Sequence, residues 1–447
     1  MRAAGVRLPD DAGRRQEARA LDAPALDAPA LARDTRRHTK ARQRIASSPR
    51  KQVFQDDPSD PEQQHTHRGI RAAPGGWTVG GSMATTASET AGPPDQATLD
   101  ALRDGVAGVL AEQSGSTAVH AFIDGKRPLD RDLWSQAASL GWLGFGIPDE
   151  YGGLGLGARG LAILHAELGR QAAPGPYIAT LSAAQAVADA GNDSIRQAWL
   201  PRFASGEISA AVPATPGSAA LAWSGQAVSG TLRCLGAPDA GVLLAPVADA
   251  WVLVELAGAD VTATPMWDPT RTVIDIRLQQ AKPAALLDDG AGAALTRAMA
   301  LAVAADSAGA ARSITERTIA YMKTREQFGQ PIAGFQALKH RAADLATKLA
   351  VADEMVAHAA ERAAADADIW VMLAKAEVTE AAVFVTTDCV QLHGGVGFTW
   401  DFDPHIFLKR ARLNEVLVMA NPVLRDQAAA GLAAVTQAGR SALELEP

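Results

Sequence analysis

Two carboxylates, one arginine and two glycine-rich strings are the parts of this chain whose residue types and settings could support chemistry. Asp306 closes the stretch Ala300-Leu301-Ala302-Val303-Ala304-Ala305, which is otherwise apolar. A carboxyl buried in such a stretch has its pKa raised and suits a general base, whereas on the polar side of a helix it is only solvated. Glu415 is a second acid, placed in the segment Arg412-Leu413-Asn414-Glu415-Val416. Arg325 and Phe328 fall in Lys323-Thr324-Arg325-Glu326-Gln327-Phe328-Gly329-Gln330-Pro331-Ile332, and further on comes Gln391-Leu392-His393-Gly394-Gly395-Val396-Gly397-Phe398. Taken singly, glycine-rich strings are turns and an arginine at a helix end is a solvated charge. His393, a lone histidine, reads as structural. Two cysteines, Cys234 and Cys389, exclude a disulfide framework and any multi-cysteine zinc or iron–sulfur site, and no metal site is expected.

These residues must be positioned by elements of two kinds. Leu99, Leu102, Val106 and Leu110 recur at spacings of three and four, the stripe of an amphipathic helix. A second helix opens at Asp130-Arg131-Asp132, with acids in the first turn that suit the macrodipole. Gly144–Pro148 breaks the pattern, Tyr151–Gly155 is a glycine-dense loop, and a helix spans Arg159–Gln171. From about Val212 the grammar changes. Short β-rich runs, Gly241–Ala245, Ala250–Val254 and Thr272–Ile276, are punctuated by Gly and Pro, as in a small antiparallel barrel or sandwich. From Ala291 the chain is helical again, in long runs over 294–324, 333–365 and 367–392, which fit an antiparallel bundle. The expected class is α+β: a helical domain over 96–211, a β domain over 212–290, a C-terminal four-helix bundle over 291–438 and a tail over 439–447.

Composition narrows the function classes. The chain has 447 residues, 47% of them hydrophobic and 21% charged, so it is globular rather than wholly disordered. Lys and Arg number 42 against 50 Asp and Glu, a net charge of −8 that argues against nucleic-acid binding. No run of 18 apolar residues occurs, so no membrane span is expected, and the expected location is cytoplasmic. Residues 1–82 are the exception, with 15 Lys and Arg against 10 Asp and Glu. Their polar, basic middle section buries too little apolar surface to offset chain entropy, so residues 1–95 are expected to be a disordered extension, with Met83 as an alternative start.

The α–β–α order, Leu143–Gly155 and the two strings at Lys323–Ile332 and Gln391–Phe398 resemble the acyl-CoA dehydrogenase family, over roughly Leu99 to Leu424. The resemblance implies an FAD lying between the β domain and the C-terminal helices of an oligomer. It implies α,β-dehydrogenation of an acyl-CoA to the 2-enoyl-CoA, with electrons passed to an electron-transfer flavoprotein. The base such a reaction needs must be desolvated, because an α-proton beside a thioester is weakly acidic. By the same resemblance Arg325 and Phe328 contact the FAD of a neighbouring subunit, and Gln391, Gly394 and Gly395 reach that neighbour's pyrophosphate. A guanidinium is a bidentate partner for pyrophosphate, and glycines let backbone N–H groups approach a phosphate closely. Thr399 falls where the family places a loop near the dinucleotide.

The chain departs from that family in two places. Where many members carry the base it has Met419-Ala420-Asn421, and where others carry it, Met299. Asp306, two helical turns beyond Met299, and Glu415, four residues short of Met419, are the carboxylates left as candidate bases. The flavin-cradling loop here reads Val212-Pro213-Ala214-Thr215-Pro216-Gly217-Ser218, without the family's acids, and Cys234 and Leu235 stand where a tryptophan is usual. Three readings follow: a self-sufficient FAD-dependent dehydrogenase that associates with itself, a flavin-completing subunit paired with a related acyl-CoA dehydrogenase chain, or a homologue that kept the fold and lost the chemistry.

Overall fold

The computed structural model describes residues 94–217, 219–288, 290–361 and 364–440. The expected extension over 1–95 lies, up to residue 93, outside the described residues, as do the start at Met83 and the tail beyond residue 440. Six helices lead: α1 Gln96–Gln113, α2 Ser116–Ile123, α3 Leu129–Ser139, α4 Gly157–Arg170, α5 Tyr177–Ala190 and α6 Asp193–Ala204. The Asp95 carboxylate caps α1 by accepting from the Thr98 N–H at 2.8 Å, and Asn192 caps α6 in the same way. Leu99, Val106 and Leu110 of the predicted stripe are buried, and a local core joins the last two to Leu133, Leu164 and Leu168.

Eight strands follow, β1 Ala210–Pro213 through β8 Ala285–Leu287, in one sheet of order β6-β7-β3-β1-β4-β5-β8, with β2 Ala222–Trp223 pairing β3 Val228–Leu235. The sheet is not wholly antiparallel. β1 pairs antiparallel with β3 but parallel with β4 Val242–Val247. The cause is topological: β3 runs opposite to β1 and β4 opposite to β3, so β4 lies beside β1 in the same direction. Both faces of β4 and of β5 Ala250–Glu255 are covered. Val242, Leu244, Trp251 and Leu253 pack toward the helices, whereas Leu243, Ala245, Val252 and Val254 fill the interior of the curled sheet. Full burial explains why these strands read as continuous apolar runs.

The C-terminal half is built on α7 Gly290–Thr324, α8 Gln336–Glu361, α9 Ala364–His393, α10 Pro404–Val416 and α11 Asn421–Gln437. α7 is the axle of the molecule; 21 of its 35 residues are buried, which is why its sequence shows no polar face. It crosses α4 with almost no gap. A Cβ on Gly309 would overlap the Ala166 carbonyl, and one on Gly169 would overlap the Asp306 backbone. Gly309→Ala is therefore expected to destabilise the protein by about 1–3 kcal/mol in urea unfolding. Gly108→Ala, where an added Cβ in α1 meets nothing within 4 Å, should be neutral or stabilising by up to about 1 kcal/mol. Among the described residues no helix is long and apolar enough to cross a membrane.

Candidate functional site

Asp306 sits at a junction of all three parts of the fold. The turn Trp267–Arg271, between β6 Asp260–Thr264 and β7 Val273–Ala281, brings Arg271 Nη2 to 2.7 Å from its Oδ1. Arg410 of α10 grips both oxygens, at 2.6 and 3.0 Å, and donates as well to Thr270 Oγ1 and the Ala173 carbonyl. Asn414, one turn along α10, donates to Asp306 Oδ1 at 2.8 Å and accepts from Arg271. Asp268, also buried, takes the Thr270 N–H and hydroxyl and adds a second negative charge near the two guanidiniums. The expected direction of the Asp306 shift is corrected by this arrangement. Burial pushes its pKa up, but Arg271, Arg410 and the hydrogen bonds outweigh that and hold the carboxyl well below the usual range. Its lone pairs are committed, so it is not poised to take a proton from a substrate.

The segment where the resemblance would put a base is tied down in a different way. Val418 has φ +69°, and the Met419 N–H donates back to the Leu417 carbonyl at 2.9 Å, a γ-turn strained for a β-branched residue. Lys375 of α9 holds it. Its fully buried Nζ donates to the Glu415 and Met419 carbonyls at 2.9 and 2.8 Å and to Asn421 Oδ1 at 2.9 Å. Burial lowers the Lys375 pKa to about 8, partly offset by Glu415. The Glu415 carboxylate itself turns to Arg412 at 3.1 Å, in a half-exposed pair on the helix surface. Lys375 was legible as a lone cation in the apolar run Ile369–Ala376, but its partners were not.

The same segment closes on the loop that would cradle a flavin. The Val418 N–H donates to the Ala214 carbonyl at 2.9 Å, and Ala214 packs against the core that contains Leu417 and Val418. The loop that matches the family's flavin cradle and the segment that matches its base position are thus in backbone contact. Neither segment holds an acid: Val212–Ser218 and Met419-Ala420-Asn421 carry no carboxylate.

The opposite face fits better. After α7 a two-residue turn joins Glu326–Gln327 to Gln330–Pro331, and both turn residues, Phe328 (φ +55°) and Gly329 (φ +79°), have positive φ. That geometry suits a tight hairpin but is uncommon for a bulky aromatic. The Phe328 ring is 91% exposed, and the Arg325 guanidinium has no partner among the described residues. Gln391, Gly394, Gly395 and Thr399 are exposed as well, and added Cβ atoms on Gly394 and Gly395 would meet only open space. Tyr321 of α7 stacks on His393 at 4.4 Å, pinning the hairpin's helix beside the glycine string. His393 is buried between them and bonds the Cys389 carbonyl through Nδ1, a structural placement. An exposed guanidinium and exposed glycines, which a phosphate can approach closely, suit an anionic pyrophosphate coming from outside the chain.

Comparison with known proteins agrees with the architecture. Residues 96–207 match the acyl-CoA dehydrogenase N-terminal domain and residues 290–433 the acyl-CoA dehydrogenase C-terminal domain. The acyl-CoA dehydrogenase FadE34 of Mycobacterium tuberculosis is 33% identical over 69% of this chain, which spans only 43% of that protein's length. The acyl-CoA dehydrogenase IpdE2 of the same organism is 32% identical over 71% of this chain and 92% of its own. The crystal structure of the ChsE4-ChsE5 complex, also from M. tuberculosis, superimposes with a TM-score of 0.66 at 26% identity, covering 79% of this chain and 98% of the other. With both terminal domains matched and relatives aligned across two thirds of its length, this chain belongs to the acyl-CoA dehydrogenase family.

Proposed function

We propose that this chain acts in the α,β-dehydrogenation of an acyl-CoA thioester as the flavin-completing subunit of a heteromeric assembly. It lends Arg325, Phe328, Gln391, Gly394, Gly395 and Thr399 to an FAD held by a related subunit, and that subunit supplies the catalytic base. Bound there, an FAD would supply a hydride acceptor, with an electron-transfer flavoprotein as the onward acceptor. What this chain contributes is binding and orientation. The Arg325 fork pairs with pyrophosphate oxygens, the Gly394 and Gly395 N–H groups approach the same anion, and the exposed Phe328 ring covers apolar surface beside it.

The observation that carries the reading is a contrast: the Arg325–Phe328 hairpin and the glycine string are exposed and open to an outside ligand, whereas the Val212–Ser218 loop lacks the family's acids. The absence of a carboxylate at Met419-Ala420-Asn421 supports it, as does the likeness to the ChsE4-ChsE5 complex. The visible spectrum of the purified full chain tests it. No flavin band is expected from the chain alone, and a near-stoichiometric band is expected when it is co-expressed with a related acyl-CoA dehydrogenase that carries a Glu base. A flavin-loaded chain that oxidises acyl-CoA by itself would establish the self-sufficient enzyme instead, and no flavin in either preparation the homologue without chemistry.

A further inference from the structure

The groups offered to an outside pyrophosphate stand on different segments of the chain. Arg325 follows α7, whereas Gly394, Gly395 and Thr399 lie between α9 and α10. A guanidinium and a glycine loop can serve one anion only when the span between them is fixed. One contact across that span is the Tyr321–His393 stack, with Phe402 edge-on against both rings at 5.8 and 5.9 Å. A second is built on Asp403.

Asp403 stands at the N-cap position of α10, just ahead of Pro404, where an aspartate ordinarily accepts a backbone N–H of its helix. It makes no such bond. Its carboxylate turns instead to groups far away in the chain: the Ser116 hydroxyl donates to it at 2.6 Å, His120 Nε2 lies at 3.0 Å, and Arg317 pairs with it. A carboxylate only accepts, so Nε2 of His120 carries the proton. Ser116 and His120 are one turn apart on α2 and present the same face. Arg317 lies on α7 about two turns before Arg325. Its guanidinium is fixed further, donating to Gln171 Oε1 at 3.1 Å and lying 5.2 Å over the Phe407 ring. Only 15% of the Asp403 side chain is exposed. Burial pushes its pKa up, but Ser116, Arg317 and His120 outweigh that and hold the carboxyl below its usual value, so it is ionised at neutral pH. A local cap is thus given up for three long-range ties, and such departures mark positions under another constraint.

We infer that Asp403 is a positioning residue for the flavin-completing face: by tying the loop Thr399–Asp403 to α7 and α2, it sets the distance between Arg325 and the glycine string. The inference rests on the reading in which this face serves a partner's FAD. It adds that the N-terminal helices, through Ser116 and His120, take part in holding that face.

The test uses the complex co-purified with a related subunit that carries a Glu base, read as the flavin-to-protein ratio after gel filtration, together with the melting temperature of the chain alone. Asp403→Asn should lower flavin retention about tenfold, and Asp403→Glu, which keeps the charge, should recover part of that loss. Glu316→Gln is the control. Glu316 neighbours Arg317 on α7 and accepts from Arg170 at 2.7 and 3.4 Å, away from the loop. Whatever its melting temperature, its flavin retention should stay at the wild-type level. The double variant Asp403→Asn with Arg325→Ala should keep more flavin than the product of the two single losses allows, because a span with one end missing no longer matters.

Full retention in Asp403→Asn while Arg325→Ala loses flavin overturns the inference and leaves the flavin-completing reading standing. Full retention in both, or no flavin in the wild-type complex, overturns the reading and the inference with it. Losses that multiply independently, or an equal loss in Glu316→Gln, make Asp403 a residue of the fold alone and overturn the inference as well. Should Asp403→Asn fail to fold, Ser116→Ala combined with His120→Ala leaves the Arg317 pair in place and should lower retention about threefold; no loss there overturns the inference.

Discussion

Asp306→Ala is expected to destabilise this protein by about 3–5 kcal/mol, the cost of breaking a buried ion network by removing one member. The carboxylate is 1% exposed and faces Arg271, Arg410 and Asn414. Its loss leaves two buried guanidiniums repelling one another, with Asp268 the remaining nearby charge of opposite sign. Asp306→Asn should cost nearly as much, since it keeps the shape and removes the charge. The pH dependence has a definite sign. The folded-state pKa lies below the unfolded value of about 3.9, so the contribution is fully present above about pH 4. It declines as pH falls from there through the depressed folded value. Urea unfolding of wild type and Asp306→Asn should therefore differ most near neutrality and converge on acidification. A catalytic base would behave otherwise, with stability barely altered and the rate of the active assembly lowered about 10²- to 10⁴-fold. That second outcome would return Asp306 to the role its sequence setting suggested.

Arg325→Ala should leave the fold untouched and strip flavin from the assembly. The side chain has no partner among the described residues, so the melting temperature of the chain is expected to stay within a degree or two. In the co-purified complex the arginine is proposed to make a charge-assisted, bidentate contact with pyrophosphate. Losing it should weaken FAD retention about tenfold to a hundredfold, read as the flavin-to-protein ratio after gel filtration. Arg325→Lys keeps the charge without the planar fork and should fall between the two. Full flavin occupancy in the alanine variant would remove Arg325 from the site. So would a melting temperature that falls as far as the flavin content does, because the effect would then lie in the fold.

The sequence by itself determined the α–β–α order of the chain and part of its elements. Hydrophobic period is a local property, so the change from spacings of three and four to short β-rich runs and back was readable without knowledge of any contact. The strings Lys323–Ile332 and Gln391–Phe398 were legible through their resemblance to a family, which is also carried by contiguous residues, but the hairpin in the first was not. What only the tertiary structure decided lies in pairs far apart in the chain. The parallel pairing of β1 with β4 follows from how two reversals bring the strands together. The environment of Asp306 looked apolar along the chain because its charges come from Arg271 on a β turn and Arg410 on a later helix; these reversed the expected shift of its pKa. The buried Lys375 and the hydrogen bond from Val418 to Ala214 bring together segments with no relation in sequence. Charge and hydrogen bonding act through space over a few ångströms, and only the packed chain sets which groups come that close.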